Sequence, residues 1–394
     1  MNYIRKHLLL FSFVFLYGFS LFAQIITGAE QTERYFSELQ NKKVAVCFNP
    51  TSVIGNTHLV DSLAVAGINI VKIFAPEHGF RGEAEAGATI QSSVDPKTGV
   101  PIVSLYGKNK KPTAEQLKDV EIIVFDMQDV GCRFFTYIST LHYIMETAAA
   151  QQIPILILDR PNPNGYFVDG PVLEEKYKSF VGMHPVPVVH GMTIGEYAQM
   201  INGEKWLDNN LTCELQIIEC KNYTHQDRYS LPIKPSPNLS SDEAIYLYPS
   251  LCLFEGTDIS IGRGTATPFR IFGHPNLTIG DYYFTPEPIK GVSENPPQKG
   301  KKCRGFDLTM KAATLRYISN SFNITYLITA YKHFPTTMKF FTNPEFFDKL
   351  AGNSTLRWQI INGKTEEEIR ASWQPELKKY KEMRSKYLIY PDNL

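Results

Sequence analysis

The 394-residue sequence carries no excess of either charge, with 40 lysines and arginines against 40 aspartates and glutamates. Bulk electrostatic attraction to nucleic acid or to anionic lipid is thereby excluded as the basis of function, and binding has to come from a local site. Cysteine is scarce: the six residues (Cys47, Cys132, Cys213, Cys220, Cys252 and Cys303) form no C-x-x-C pair. A disulfide-stapled miniprotein and a zinc ribbon are both excluded, although disulfides of unassignable connectivity stay open for an exported chain. Long apolar runs are missing after residue 22. What is there, 43% hydrophobic and 20% charged residues, has the balance of a globular chain and not of a disordered one.

The one apolar run lies at the start, where Arg5, Lys6 and His7 precede residues 8–22 and small Ala23 stands before Gln24. A basic segment followed by an apolar core of about 15 residues reads as a signal peptide, because a membrane span needs about 20. Leu21 departs from the small residue usual three positions before a cut, and an uncleaved anchor is the alternative. No cysteine follows to accept a lipid. The expectation is an exported protein of periplasm or medium, with residues 1–23 removed and no span left.

From Lys43 onward, apolar runs at 44–48, 68–74, 102–105, 122–125 and 153–158 alternate with helical stretches at 58–66, 113–118 and 141–151. Thr57 and Thr113 are the expected helix caps. Nearly continuous apolar strands imply burial on both faces, so the fold class expected is α/β, a Rossmann-like, doubly wound, mostly parallel sheet. A Pro- and Ser-rich stretch at 230–241 suggests a boundary near residue 245. The division expected is a catalytic domain at 24–245 and a smaller α/β domain at 246–394 that completes a cleft. Residues 349–394, with mixed charge at helical spacing, read as a solvated helical end.

No nucleotide cofactor follows from this fold. The turn after the first strand, Asn49 to Asn56, holds a single glycine where a dinucleotide fingerprint wants three, and no P-loop lysine motif occurs. Ligands of open parallel sheets bind beyond the carboxyl ends of the strands. Three such positions are conspicuously polar: Ala75-Pro76-Glu77-His78-Gly79-Phe80-Arg81-Gly82, Asp126-Met127-Gln128-Asp129-Val130-Gly131-Cys132-Arg133, and Asp159-Arg160-Pro161-Asn162-Pro163.

Glu77, fixed by Pro76 and beside glycine, is a candidate general acid or base, or a surface residue of an ordinary turn. His78 is a candidate proton shuttle, ligand or hydrogen-bonded structural residue. Asp126 and Asp159 are candidate bases or charge stabilisers, or else caps and partners of neighbouring arginines. Gln128 stands in the same polar run. Arg81, Arg133 and Arg160 could fork onto a ligand carboxylate or neutralise these acids. Thr193 and Glu196 read as a capping box, which leaves His190 unexplained and available to line the site. Glu255, between Phe254 and Gly256, could close an inter-domain cleft or serve a turn. A metal set would draw on His78, Asp126, Asp129 and His190, but no H-E-x-x-H spacing supports it. Cys132 has no paired base.

At these residues the sequence resembles the bacterial exo-β-N-acetylmuramidases of the NamZ type, formerly a domain of unknown function. The segments that carry the resemblance are 73–82 (IFAPEHGFRG), 93–101, 104–108 (SLYGK), 125–141 (FDMQDVGCRFFTYISTL), 158–163 (LDRPNP), 189–196 (VHGMTIGE), 235–238 (PSPN) and 253–265 (LFEGTDISIGRGT). The resemblance covers nearly all of the chain after its leader. It implies removal of N-acetylmuramic acid from the non-reducing ends of peptidoglycan fragments, with Glu77 at the position of the catalytic glutamate and no cofactor. Cys132 departs from the small non-thiol residue expected there. Glycoside hydrolysis needs a proton donor for the leaving oxygen and stabilisation of an oxocarbenium-like centre. Glu77 would donate, and Asp126 would stabilise the centre, activate water or orient the 2-acetamido group. One of Arg81, Arg133 and Arg160 would meet the lactyl carboxylate, and Tyr106 and Tyr137 would stack on the sugar or pack internally. A non-catalytic muropeptide-binding protein and a metal-dependent hydrolase of wall sugars are the alternatives.

Overall fold

The computed structural model describes residues 24–77, 79–81 and 93–392; the leader at 1–23 and His78 lie outside them. Six parallel strands form the core of the first unit: β1 (Val44–Phe48), β2 (Ile70–Ala75), β4 (Pro101–Ser104), β5 (Ile122–Asp126), β6 (Ile155–Leu158) and β7 (Leu215–Ile218). A short antiparallel β3 (Ser93–Val94) completes a seven-stranded sheet of order β3-β4-β2-β1-β5-β6-β7. Crossovers carry α1 (Leu59–Val65), α2 (Ala114–Leu117), α3 (Tyr137–Ala150) and α4 (Ile194–Gly203).

The apolar runs become strands because both of their faces find a core. In β1, Ala45 and Cys47 enter one hydrophobic cluster while Val44, Val46 and Phe48 enter another. β5 divides the same way, Ile123 and Phe125 to one side and Ile122 and Val124 to the other. This alternation on a doubly covered sheet is the arrangement expected of parallel strands.

Boundaries moved where a buried apolar residue is not a ladder residue. Ile153 is buried, yet its N–H donates to the Ala148 carbonyl at 2.9 Å and closes the end of α3. Thr57 is not the cap of α1; it lies in a small hairpin, and His58 Nδ1 accepts from Val60 N–H at 3.3 Å. Thr113 with Gln116 and Thr193 with Glu196 do form reciprocal capping boxes. Strand β7 was not expected, because only its last residue is fully buried and its apolar signal is weak.

The second, smaller unit follows α5 (Asp242–Leu251). Its antiparallel sheet places β10 (Cys303–Asp307) between β8 (Ile271–His274) and β9 (Tyr282–Phe284). The C-terminal helix α6 (Glu366–Arg384) corrects the expectation of a solvated end. Ile369, Trp373, Leu377, Tyr380 and Arg384 recur on one face and are buried. Tyr380 Oη donates to the His190 carbonyl at 2.8 Å, and Arg384 donates to the Gly191 carbonyl at 3.0 Å through Nε. The tail then anchors under the main sheet: Ile389 N–H donates to Glu196 at 2.9 Å and Tyr390 Oη to Asp159 at 2.6 Å. Among the described residues no helix is long and apolar enough to cross a membrane.

Burial pushes the Asp159 carboxyl up to about 6, with Glu196 adding to the rise and bonds from Tyr390, Gly195 and Thr193 opposing it. A carboxyl raised on folding binds its proton more tightly in the native state, so the stability it contributes is present below its ordinary pKa of about 4 and lost as pH rises towards about 6. Asp159→Asn removes this titration. In urea unfolding across that window, the stability of the variant relative to the parent is expected to climb with pH and then level off; a constant difference would contradict the assignment.

Candidate active site

Strand β2 ends at Ala75, and the chain turns at once. Gly79 takes a φ of 74° and donates its N–H to the Pro76 carbonyl at 3.1 Å, so Glu77 stands at the tip of a tight turn beyond the sheet's carboxyl edge. Glu77 is half-buried and borders a cavity of about 450 Å³, within the size range of small-molecule sites. Tyr106 and Lys110 reach the same cavity from the loop after β4, and Thr136 and Tyr137 from the start of α3. Tyr248 of α5 and Glu255, Arg263 and Phe269 of the second unit close it.

Contacts around Glu77 are specific. Thr136 Oγ1 donates to Glu77 Oε2 at 3.4 Å. The Tyr106 hydroxyl is pushed up to about 12, first by burial and then by the neighbouring Glu77 charge. Tyr137 is buried, and its hydroxyl donates to the Pro235 carbonyl at 3.3 Å, which ties the PSPN segment to the cavity wall. An aromatic seam runs from the first unit to the second: Tyr137 to Phe135 at 4.8 Å, Phe135 to Tyr248 at 5.9 Å, and Tyr248 to Phe269 at 5.0 Å between ring centroids. Arg263 lies 5.0 Å from the Phe269 centroid, and its Nε and Nη2 donate to Glu255 Oε1 at 3.0 and 2.6 Å. Two carboxylates and an aromatic wall thus share one space, a combination able to hold the apolar faces of a sugar and do acid–base chemistry beside it.

Two family models match the chain, the N-terminal part of exo-β-N-acetylmuramidase NamZ over residues 44–243 and its C-terminal part over residues 246–390. The chain belongs to the NamZ family. It is 39% identical over 375 residues to the peptidoglycan β-N-acetylmuramidase NamZ of Bacillus subtilis strain 168, covering 90% of this chain and 89% of that one. Two crystal structures of DUF1343 family proteins from Bacteroides fragilis NCTC 9343 share the fold. One has a TM-score of 0.87 at 48% identity over 94% of this chain and 100% of that one. The other has 0.75 at 28% over 93% and 99%.

Within this NamZ-family architecture the structure brings Glu77, Tyr106, Tyr137 and Glu255 to one cavity and places the other expected residues that it describes elsewhere; His78 lies outside the described residues. Asp126 is fully buried at the end of β5, and both of its carboxylate oxygens accept from Arg160, through Nε to Oδ1 and through Nη2 to Oδ2 at 2.8 Å. Arg160 also borders a separate depression with Glu30, Val53 and Tyr229. Gln128 donates to the carbonyls of Asp129 at 2.8 Å and Pro161 at 2.7 Å. Arg81 is paired with Asp61 and Asp95, each at 2.9 Å. Asp159 anchors the tail. His190 Nδ1 accepts from Met192 N–H at 3.2 Å, with Nε2 3.6 Å from Asp129. Cys132 is buried, and desolvation raises its thiol well above the ordinary range, which is unfavourable for a nucleophile.

The sequence carries no signal of its own for Thr136, Lys110, Phe180, Tyr248 and Phe269, and leaves the 262–265 segment with Arg263 open between completing an inter-domain cleft and forming a turn. Lys110 sat in a lysine-rich loop with only neighbouring Tyr106 as a signal, and the aromatic residues look like ordinary core in one dimension.

Arg133 is wholly buried and donates to three carbonyls, Pro171 at 2.8 Å, Val186 at 2.6 Å and Leu350 at 2.8 Å, which joins the two units. Burial without a facing carboxylate holds its guanidinium down at about 10. Arg133→Met strands those acceptors, each costing about 1–3 kcal/mol when left unpaired. A loss of several kcal/mol in denaturant unfolding is expected with KM unchanged in the folded fraction; a raised KM at full stability would restore a substrate role.

Proposed function

We propose that this chain is an exported exo-acting glycosidase that removes terminal β-1,4-linked N-acetylmuramic acid from the non-reducing ends of peptidoglycan fragments. The observation that carries the proposal is Glu77, held by Thr136 and flanked by Tyr106 in a cavity that the second unit closes. Membership of the NamZ family and the name of its Bacillus relative support the same reading. In it, residues 1–23 form the cleaved leader, 24–245 the catalytic unit and 246–394 the auxiliary unit.

Glu77 donates its proton to the glycosidic oxygen as the bond to the leaving sugar breaks. That bond's electrons stay with the leaving oxygen, and positive charge builds on the anomeric carbon and ring oxygen of the muramic acid. Negative charge is needed beside this centre. Asp126 has both oxygens engaged by Arg160 and acts at a distance, by positioning the loops. Glu255 takes the role at the cavity, since Arg263 engages only its Oε1. Tyr137, Tyr248 and Phe269 supply flat apolar surface for the ring. Water then bonds to the anomeric carbon and gives up a proton that returns, through a cavity carboxylate or solvent, to Glu77, and no metal or organic cofactor is invoked in any step.

General acid catalysis is worth about 10²–10⁴-fold and matters most for a poor leaving group. Glu77→Gln is therefore expected to lower kcat on an N-acetylmuramyl-N-acetylglucosamine disaccharide by about 10³-fold, and by less on a nitrophenyl β-N-acetylmuraminide, whose phenolate needs little protonation. Equal losses on both substrates would argue for another role for Glu77, and absence of turnover by the parent on either would move the reading to muropeptide binding. Excess chelator is expected to leave the parent rate unchanged; abolition would point to a metal-dependent hydrolase.

A further inference from the structure

Muramic acid differs from the other wall hexosamine by a 3-O-lactyl carboxylate. Taking that anion out of water into a half-enclosed cavity is costly unless a cation pairs with it there. The three arginines that the sequence offers for this role each have partners within the protein. Arg81 holds Asp61 and Asp95, Arg160 holds Asp126, and Arg133 caps backbone carbonyls. Of the cations that border the cavity, Arg263 is bonded to Glu255. Among the described residues, Lys110 is the other.

Its placement is built. The Lys110 ammonium lies 4.4 Å from the centroid of the Phe180 ring and, among the described residues, has no carboxylate partner. Phe180 is itself fixed, because its carbonyl accepts from Ser139 Oγ of α3 at 2.7 Å and its ring stacks on Tyr143 at 6.2 Å with planes 10° apart. The next lysine of the same run, Lys111, is paired with Glu146 at 3.0 Å and faces away from this role. A cation resting on an aromatic face keeps its positive charge unspent, so it can still take a carboxylate.

We infer that Lys110 is the specificity residue that pairs with the lactyl carboxylate of the sugar, on the aromatic platform of Phe180. The inference rests on the glycosidase reading above for its substrate, and names the contact by which that substrate is told from N-acetylglucosamine. The pairing is the same in ground and transition states, so it should act on KM and not on kcat.

The test is a cycle on the full exported chain with nitrophenyl β-N-acetylmuraminide and its lactyl methyl ester, comparing the parent with Lys110→Gln and Lys110→Arg. For a half-buried ion pair, Lys110→Gln is expected to raise KM for the acid about 10-fold with kcat nearly kept, and Lys110→Arg to restore most of it. Esterification should cost the parent a similar factor and cost Lys110→Gln nothing more. An equal ester penalty in parent and Lys110→Gln would overturn the inference while leaving the glycosidase reading in place. If the parent releases no phenol, calorimetry with free N-acetylmuramic acid and N-acetylglucosamine decides separately. Preference for the muramic acid that vanishes in Lys110→Gln upholds Lys110, and no preference in the parent rejects it.

Discussion

The buried ion pair between Asp126 and Arg160 stitches the carboxyl edge of the sheet together. Asp126 closes β5, Arg160 follows β6, and the guanidinium takes both carboxylate oxygens and also donates to the Val53 carbonyl beyond β1. Ser52 Oγ donates to the Asp126 carbonyl, and Gln128 N–H to Thr51 Oγ1 at 3.1 Å. Loops after three neighbouring strands are therefore bonded to one another where strand order reverses, the place at which doubly wound sheets ordinarily admit a nucleotide. Two charges out of water are tolerated only with such complete bonding, and removing one partner of a buried pair costs about 3–5 kcal/mol. With the central crevice occupied by its own side chains, the opening is displaced toward β2 and β4, where Glu77 and Tyr106 stand.

A displaced opening needs a second wall, and the smaller unit supplies it. The aromatic seam from Tyr137 to Phe269 is continuous across both units, and Arg133 bonds carbonyls on both. Helix α6 adds a clamp on the far side through Tyr380 and Arg384, and the tail beyond it locks onto Asp159 and Glu196. The position of Glu255 relative to Glu77 is thus held by contacts distributed over the whole chain. A neutral protein can in this way gather the acids Glu77 and Glu255 and the cations Lys110 and Arg263 around a small volume, and charge sorting becomes local instead of global.

The fold was largely legible because it rests on a short-range pattern. Continuous apolar runs at 44–48 and 122–125, separated by helical stretches with capping boxes at Thr113 and Thr193, admit few arrangements other than a parallel sheet covered on both sides. Glu77 was legible as a candidate for a related reason, since the residue after a parallel strand lies at the sheet's open edge, whereas Tyr106 entered only through the family resemblance. The same rule also nominated Asp126, Asp159 and Arg160. It could not separate a carboxylate facing a cavity from one spent on an arginine or a tail tyrosine.

The sequence by itself determined the doubly wound sheet, the absence of a nucleotide turn and the candidacy of Glu77, because strand burial, glycine spacing and chain direction are written in consecutive residues. Tertiary structure alone decided which charges are consumed and which remain available. Asp126 meets Arg160 across 34 residues and Tyr390 meets Asp159 across 231. Arg263 engages one oxygen of Glu255 while Lys110, among the described residues, meets no carboxylate, and such pairings depend on distances in space that no one-dimensional spacing encodes.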